Sequence, residues 1–126
     1  MLGAADSAAT VAVKDLDEAR GFYEGQLGLQ PFFSDSEAVG YRTGGSALLV
    51  YRSEYAGSNQ ATAVTWIVGE QVEAIMDDLK SKGVTFEHYD LPETTREGDV
   101  HLMGEFKAVW FKDPDGNILN LINESM

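Results

Sequence analysis

The chain has 126 residues, no cysteine and a formal net charge of −12, from 21 Asp and Glu against nine Lys and Arg. This length makes a single domain able to bury about two-thirds of its unfolded surface. The missing cysteine excludes a disulfide framework, a thiol nucleophile and a thiolate metal site. The negative balance disfavours nucleic acid and anionic membrane surfaces as partners, and would steer a cationic small molecule inward, although solubility alone also explains it. The longest apolar runs, such as residues 47–51, are strand-sized and far short of a membrane span. Residues 1–12 carry no basic segment followed by an apolar stretch, so a cytoplasmic location is expected.

Residues 8–13 alternate small and β-branched side chains and predict a strand. Asp15 then reads as a helix N-cap, with Glu18 completing a capping box. Leu16, Ala19, Phe22, Tyr23 and Leu27 follow at helical spacing, and Gly28 stands where a C-cap glycine belongs. Strands are predicted over 30–35, 37–43 and 46–51, with Gly44-Gly45 as the hairpin turn between the last two. Residues 52–60 are polar and aperiodic, a connector. The pattern then restarts. A strand over 61–68 precedes a helix marked by Val72, Ile75, Met76 and Leu79 and stopped by Gly83. A strand over 84–89, an excursion over 91–104, a strand over 105–112, the turn 113–117 and a strand over 118–123 complete the chain.

The order strand, helix, three strands therefore occurs twice. Shifted by 55 residues, Ala8 meets Ala63, Thr10 meets Thr65, Val13 meets Val68, Glu18 meets Glu73, Ala19 meets Ala74 and Gly28 meets Gly83. Such matches at strand, cap and helix-face positions point to two copies of one unit. They divide the chain into module 1 (about 8–51), a linker (52–60) and module 2 (about 61–123).

Two stretches, VAVKDLDEARGFYEGQLGL (residues 11–29) and WFKDPDGNILNLI (110–122), with the weaker TWIVGEQVEAIMDDLKSKGVTFE (65–87), resemble the vicinal oxygen chelate superfamily of glyoxalase, bleomycin-resistance and dioxygenase-like proteins. The resemblance implies an α+β fold of two βαβββ modules, their curved sheets facing a central cleft and the helices outside. It does not fix an activity, because the scaffold hosts isomerases, dioxygenases, transferases and drug-sequestering proteins. Metal-dependent members hold a divalent ion on four cleft strands, at positions that fall here on Ala8, Tyr51, Ala63 and Asn120. Alanine has no donor atom, and a transition-metal site needs at least three converging N, O or S ligands. No metal and no other cofactor are therefore expected; a divalent ion would enter only if these four positions were misaligned. The two histidines, His88 and His101, lack HxH or HxxxH spacing and read as exposed loop or strand-edge residues.

Strand alternation places Trp110, Tyr51, Thr10, Thr65, Asn120 and Glu87 on the cleft side, with Phe33 or Tyr41 as further aromatic surface. An aromatic wall with few polar anchors suits a small aromatic or cationic guest. The expected function is metal-free sequestration of such a drug or metabolite in the manner of the bleomycin-resistance proteins, with a homodimer as the expected assembly. The alternative is a lyase, isomerase or dioxygenase working through unusual metal or base residues, such as Glu87 or His101. A third reading is a partner protein whose cleft is closed by dimerisation.

Overall fold

The computed structural model of the chain describes residues 1–123. Module 1 contains β1 (Ala9–Val13), α1 (Leu16–Arg20), β2 (Gln30–Ser34), β3 (Ala38–Thr43) and β4 (Ser46–Arg52). Module 2 contains β5 (Thr62–Ile67), α2 (Val72–Ser81), β6 (Phe86–Glu87), β7 (Thr95–Glu97), β8 (Val100–Met103), β9 (Phe106–Lys112) and β10 (Ile118–Ile122). One sheet has the order β1-β4-β3-β2; the other runs β5-β10-β9-β8-β7, with β6 also on β9. In each, the first strand lies parallel to the last, β1 on β4 and β5 on β10. The fold is α+β, built from βαβββ modules.

The local reasons are visible in the sequence. The Asp15 carboxylate accepts the Glu18 N–H at 3.1 Å and starts α1. The expected α-helical run to Leu27 does not continue, however. After Arg20 the backbone widens into a π-helical stretch, Gly21–Gln26, and the Leu27 N–H reaches back to the Phe22 carbonyl at 2.9 Å. The wider turn lets the adjacent Phe22 and Tyr23 both reach the core. Gly28, at φ +74°, then supplies the left-handed residue that ends the segment.

The helix-side faces of both sheets share one apolar core. Val11, Val13, Leu48 and Val50 come from module 1, and Val109, Phe111, Leu119 and Leu121 from module 2. Full burial of each such side chain contributes about 1.5–3 kcal/mol. The Phe22 and Phe111 rings lie 6.5 Å apart across the module boundary, and Tyr23 stacks on Tyr41 at 6.0 Å. A polar clasp reinforces that boundary. The Tyr23 hydroxyl donates to Asp113 Oδ2 at 2.8 Å, and the Asn117 side-chain amide donates to the same oxygen and to the Ala12 carbonyl, both at 2.8 Å. Asp113 Oδ1 accepts the backbone N–H groups of Asp115 and Asn117 at 2.9 Å each. The linker touches the same turn: a Cβ on Gly57 (φ +82°) would sit 2.8 Å from the Asp115 carbonyl oxygen.

The excursion over 91–104 is not a plain loop. β7 and β8 form an antiparallel hairpin, Arg96 opposite His101, turning at Gly98 (φ +60°) and Asp99. β8 then pairs with β9, so the hairpin extends the sheet and satisfies its own backbone groups. No helix among the described residues is long and apolar enough to cross a membrane.

Candidate functional site

Register fixes which side chains share the face opposite the helices, because directly paired residues point the same way. On the first sheet one row is Phe33, Gly40, Leu49 and Thr10, and the next is Ala38, Tyr51 and Ala12. A bulge between Pro31 and Phe33 adds Phe32 to this surface. Gly40 leaves room for these rings: a Cβ would lie 2.7 Å from the Phe33 ring and 2.9 Å from that of Phe32, so both would have to shift. Arg42 lies over the Phe32 ring, 4.7 Å from its centre.

On the second sheet one row is Glu87, Trp110, Asn120 and Thr65, and the next is Arg96, His101, Ala108, Ile122 and Ile67. The Thr65 hydroxyl donates to Asn120 Oδ1 at 2.5 Å, and the Trp110 indole N–H donates to the Thr62 hydroxyl at 3.1 Å. Glu87 is paired with Lys112 at 3.4 Å.

At the seam between β1 and β5 the two faces meet in a groove of about 440 Å³, a volume within the range of small-molecule sites. Thr10, Ala12, Tyr51 and Ala63 line its floor, and the linker residues Tyr55, Ser58 and Asn59 form its rim. Thr10 and Tyr51 are thus brought together. Trp110, Thr65, Asn120 and Glu87 form a second group on β5, β6, β9 and β10, and Phe33 stands at the outer edge on β2. Tyr41 departs from expectation. It pairs with Leu48 on the helix side, is fully buried, and donates its hydroxyl to Glu24 at 2.8 Å. Val39 and Tyr41 alternate against Gly40 and Arg42, which is the signal that assigns Tyr41 to the core. Arg20, hydrogen-bonded to Glu24 at 2.7 Å, holds that carboxyl below the usual range.

The histidines divide. His88 is exposed and hydrogen-bonded to Asp99 at 2.6 Å, and Asp99 also meets Lys80. These partners, Lys80 first, hold the Asp99 carboxyl below its ordinary value. His101, expected at an exposed edge, is 2% exposed, because β7 and β9 flank it and the Trp110 ring stands edge-on at 4.8 Å. Linker residues Tyr55, Ser58 and Asn59 carry no periodic signal that would mark them as groove residues.

The donor set at the four metal positions does not fit a divalent ion. Ala8 and Ala63 offer no donor atom, the Asn120 oxygen is engaged by Thr65, and Tyr51 alone remains, short of the three converging ligands such a site needs. Among the described residues no three His, Asp or Glu side chains converge as a metal-holding group.

Residues 6–121 match the Glyoxalase/Bleomycin resistance protein/Dioxygenase superfamily. The chain belongs to this superfamily. No curated protein matches it. Among solved structures it is similar to the fosfomycin resistance protein FosX of Listeria monocytogenes complexed with Mn(II) and sulfate: 17% identity, 98% of this chain and 92% of that one, TM-score 0.73. A glyoxalase/bleomycin resistance protein/dioxygenase from Alicyclobacillus acidocaldarius aligns at 19% identity over 94% and 90% of the two chains, TM-score 0.70. Lactoylglutathione lyase from Agrobacterium tumefaciens aligns at 16% identity over 94% and 92%, TM-score 0.69. At these identities the likeness establishes the fold of this superfamily member, not its chemistry.

Proposed function

We propose that this superfamily member is a cytoplasmic, metal-independent binding protein for a small aromatic molecule, acting as a homodimer. The observation that carries the reading is the groove at the β1–β5 seam. It has the volume of a ligand site and presents Tyr51 and Thr10, while of the positions expected to hold a metal Ala8 and Ala63 carry no donor and Asn120 is already bonded to Thr65. The exposed Phe32, Phe33 and Ile67 on the same face supply apolar surface that a second copy would cover. A fosfomycin resistance protein among the fold neighbours supports a small molecule as guest.

Two features favour binding over base catalysis. Glu87 is committed to Lys112, and His101 Nε2 already accepts the Tyr89 N–H at 3.0 Å. A cationic guest is also disfavoured locally, because Arg42, Lys112 and Arg96 already stand on this face. Native mass spectrometry of the purified chain, without added metal or chelator, tests the reading. Dimers free of metal, alone or with a retained organic mass, are expected. A stoichiometric divalent metal that chelator removes would overturn it.

A further inference from the structure

A second hollow, of about 140 Å³, lies on the helix side of the molecule. The second sheet contributes Trp66 and Phe111 to it, α2 contributes Ile75 and Leu79, and the chain leaving the π-helical stretch contributes Leu27 and Leu29. Trp66 alternates with Thr65, so this hollow and the groove face lie on opposite sides of β5. Its lining has no charged side chain, and no polar group on a side chain besides the Trp66 indole, although charged residues make up 24% of the chain. Native interiors normally close such space by drawing side chains together. Here the two sides are fixed by bonds of their own. Gln26 Nε2 donates to the Lys82 carbonyl at 2.9 Å, tying the end of the π-helical stretch to the C-terminal end of α2. The Leu29 N–H donates to the Tyr23 carbonyl at 2.9 Å. Leu27, Trp66, Val68 and Ile75 are only half-buried, so the hollow is open to solvent.

We propose that this hollow is a second binding site, for one small uncharged apolar molecule about the size of a benzene ring. An apolar cavity of about 150 Å³ takes up benzene or xenon, and the volume here is close to that. A charged guest would give up its hydration with no charged partner in the lining to replace it. The site stands on its own lining and does not depend on the groove being a ligand site. The π-helical stretch has a part in it. That winding ends by delivering Leu27 and Leu29 to the boundary with the second module, and such windings recur at functional sites. Because both modules supply the lining, a guest binds the folded chain alone and raises its stability.

The probe is toluene, with benzylammonium as its charged counterpart, each titrated into the methyl-labelled full chain and followed by NMR. Saturable ring-current shifts are expected at the methyl groups of Leu27, Leu29, Val68, Ile75 and Leu79, with a rise in the thermal midpoint. Benzylammonium is expected to bind at least about tenfold more weakly than toluene. Ile75→Trp fills the opening from α2 and should abolish both the shifts and the thermal response; Val68→Phe does the same from the end of β5 if the first variant does not fold. The wild-type titration decides the question without either. Absence of shifts at these methyl groups up to the solubility of toluene would overturn the site. Equal binding of benzylammonium would overturn the assignment of an uncharged guest, and shifts retained in a folded, filled variant would place the guest elsewhere. Shifts at the methyl groups of Thr10, Ala12 and Ala63 report on the groove, so that reading stands or falls separately.

Discussion

The clasp between Tyr23 and Asp113 joins residues far apart in sequence, and its strength can be measured. Tyr23→Phe deletes the hydroxyl that donates to Asp113 at 2.8 Å, while Asp113 keeps its three donors from Asp115 and Asn117. The ring itself still stacks on Tyr41 and stands edge-on to Phe22. The loss is therefore one hydrogen bond to a charged acceptor, about 1.5–3 kcal/mol. Asp113→Ala deletes the same bond and strands the Tyr23 hydroxyl and two backbone N–H groups, at a cost of about 3–5 kcal/mol. The double variant counts the shared bond once, so a cycle built from urea unfolding should return a coupling of about 1.5–3 kcal/mol. Against a total stability of about 5–15 kcal/mol this is easily resolved. A coupling within about 0.5 kcal/mol of zero would mean that the Tyr23–Asp113 hydrogen bond contributes nothing to holding the two modules together.

Burial moves the ionisation of both Tyr23 and Tyr41 to higher pH than that of a free tyrosine. The unfolded chain therefore loses these protons first. Their contribution is complete below about pH 10, and stability falls by about 1.4 kcal/mol per pH unit per tyrosine above it; urea midpoints from pH 9 to 11 should show this, with a shallower fall in Tyr23→Phe. Asp99 behaves in the opposite sense. Its depressed carboxyl, held by Lys80 and His88, contributes stability above the ordinary Asp range that is lost as pH falls through it. Lys80→Met should flatten the acid limb of the urea-midpoint profile. Gly57→Ala places a methyl against the Asp115 carbonyl at a positive φ and should destabilise by about 1–3 kcal/mol in the same assay.

Much of this architecture could be read directly from residues. Asp15 marks the start of α1, Gly44-Gly45 turns β3 into β4, and the 113–117 turn precedes β10, because caps and tight turns depend on side chains within a few positions. The π-helical stretch is not legible because Phe22, Tyr23 and Leu27 fit an α-helical stripe equally well. The β7–β8 hairpin escaped because Thr95, Arg96 and Glu97 show no alternation, although Gly98-Asp99 was a usable turn signal. His101 is buried by strands that meet it only in the folded sheet, so nothing near it in the chain announces its environment. The groove presents the same difficulty: the linker residues Tyr55, Ser58 and Asn59 meet Thr10 and Tyr51 only once β1 and β5 lie side by side.

β6 and β8 occupy successive stretches of one edge of β9, the first opposite Phe111 and Trp110, the second opposite Ala108, Lys107 and Phe106. The β7–β8 hairpin is therefore an appendage to a margin of the sheet and not part of the β5–β10–β9 ladder. Substitutions in residues 91–99 can reshape the surface beside Trp110 without touching the pairing that keeps Trp110 and Asn120 in place. The second half of the chain thus carries an edge that can vary while the core shared by the two halves is kept.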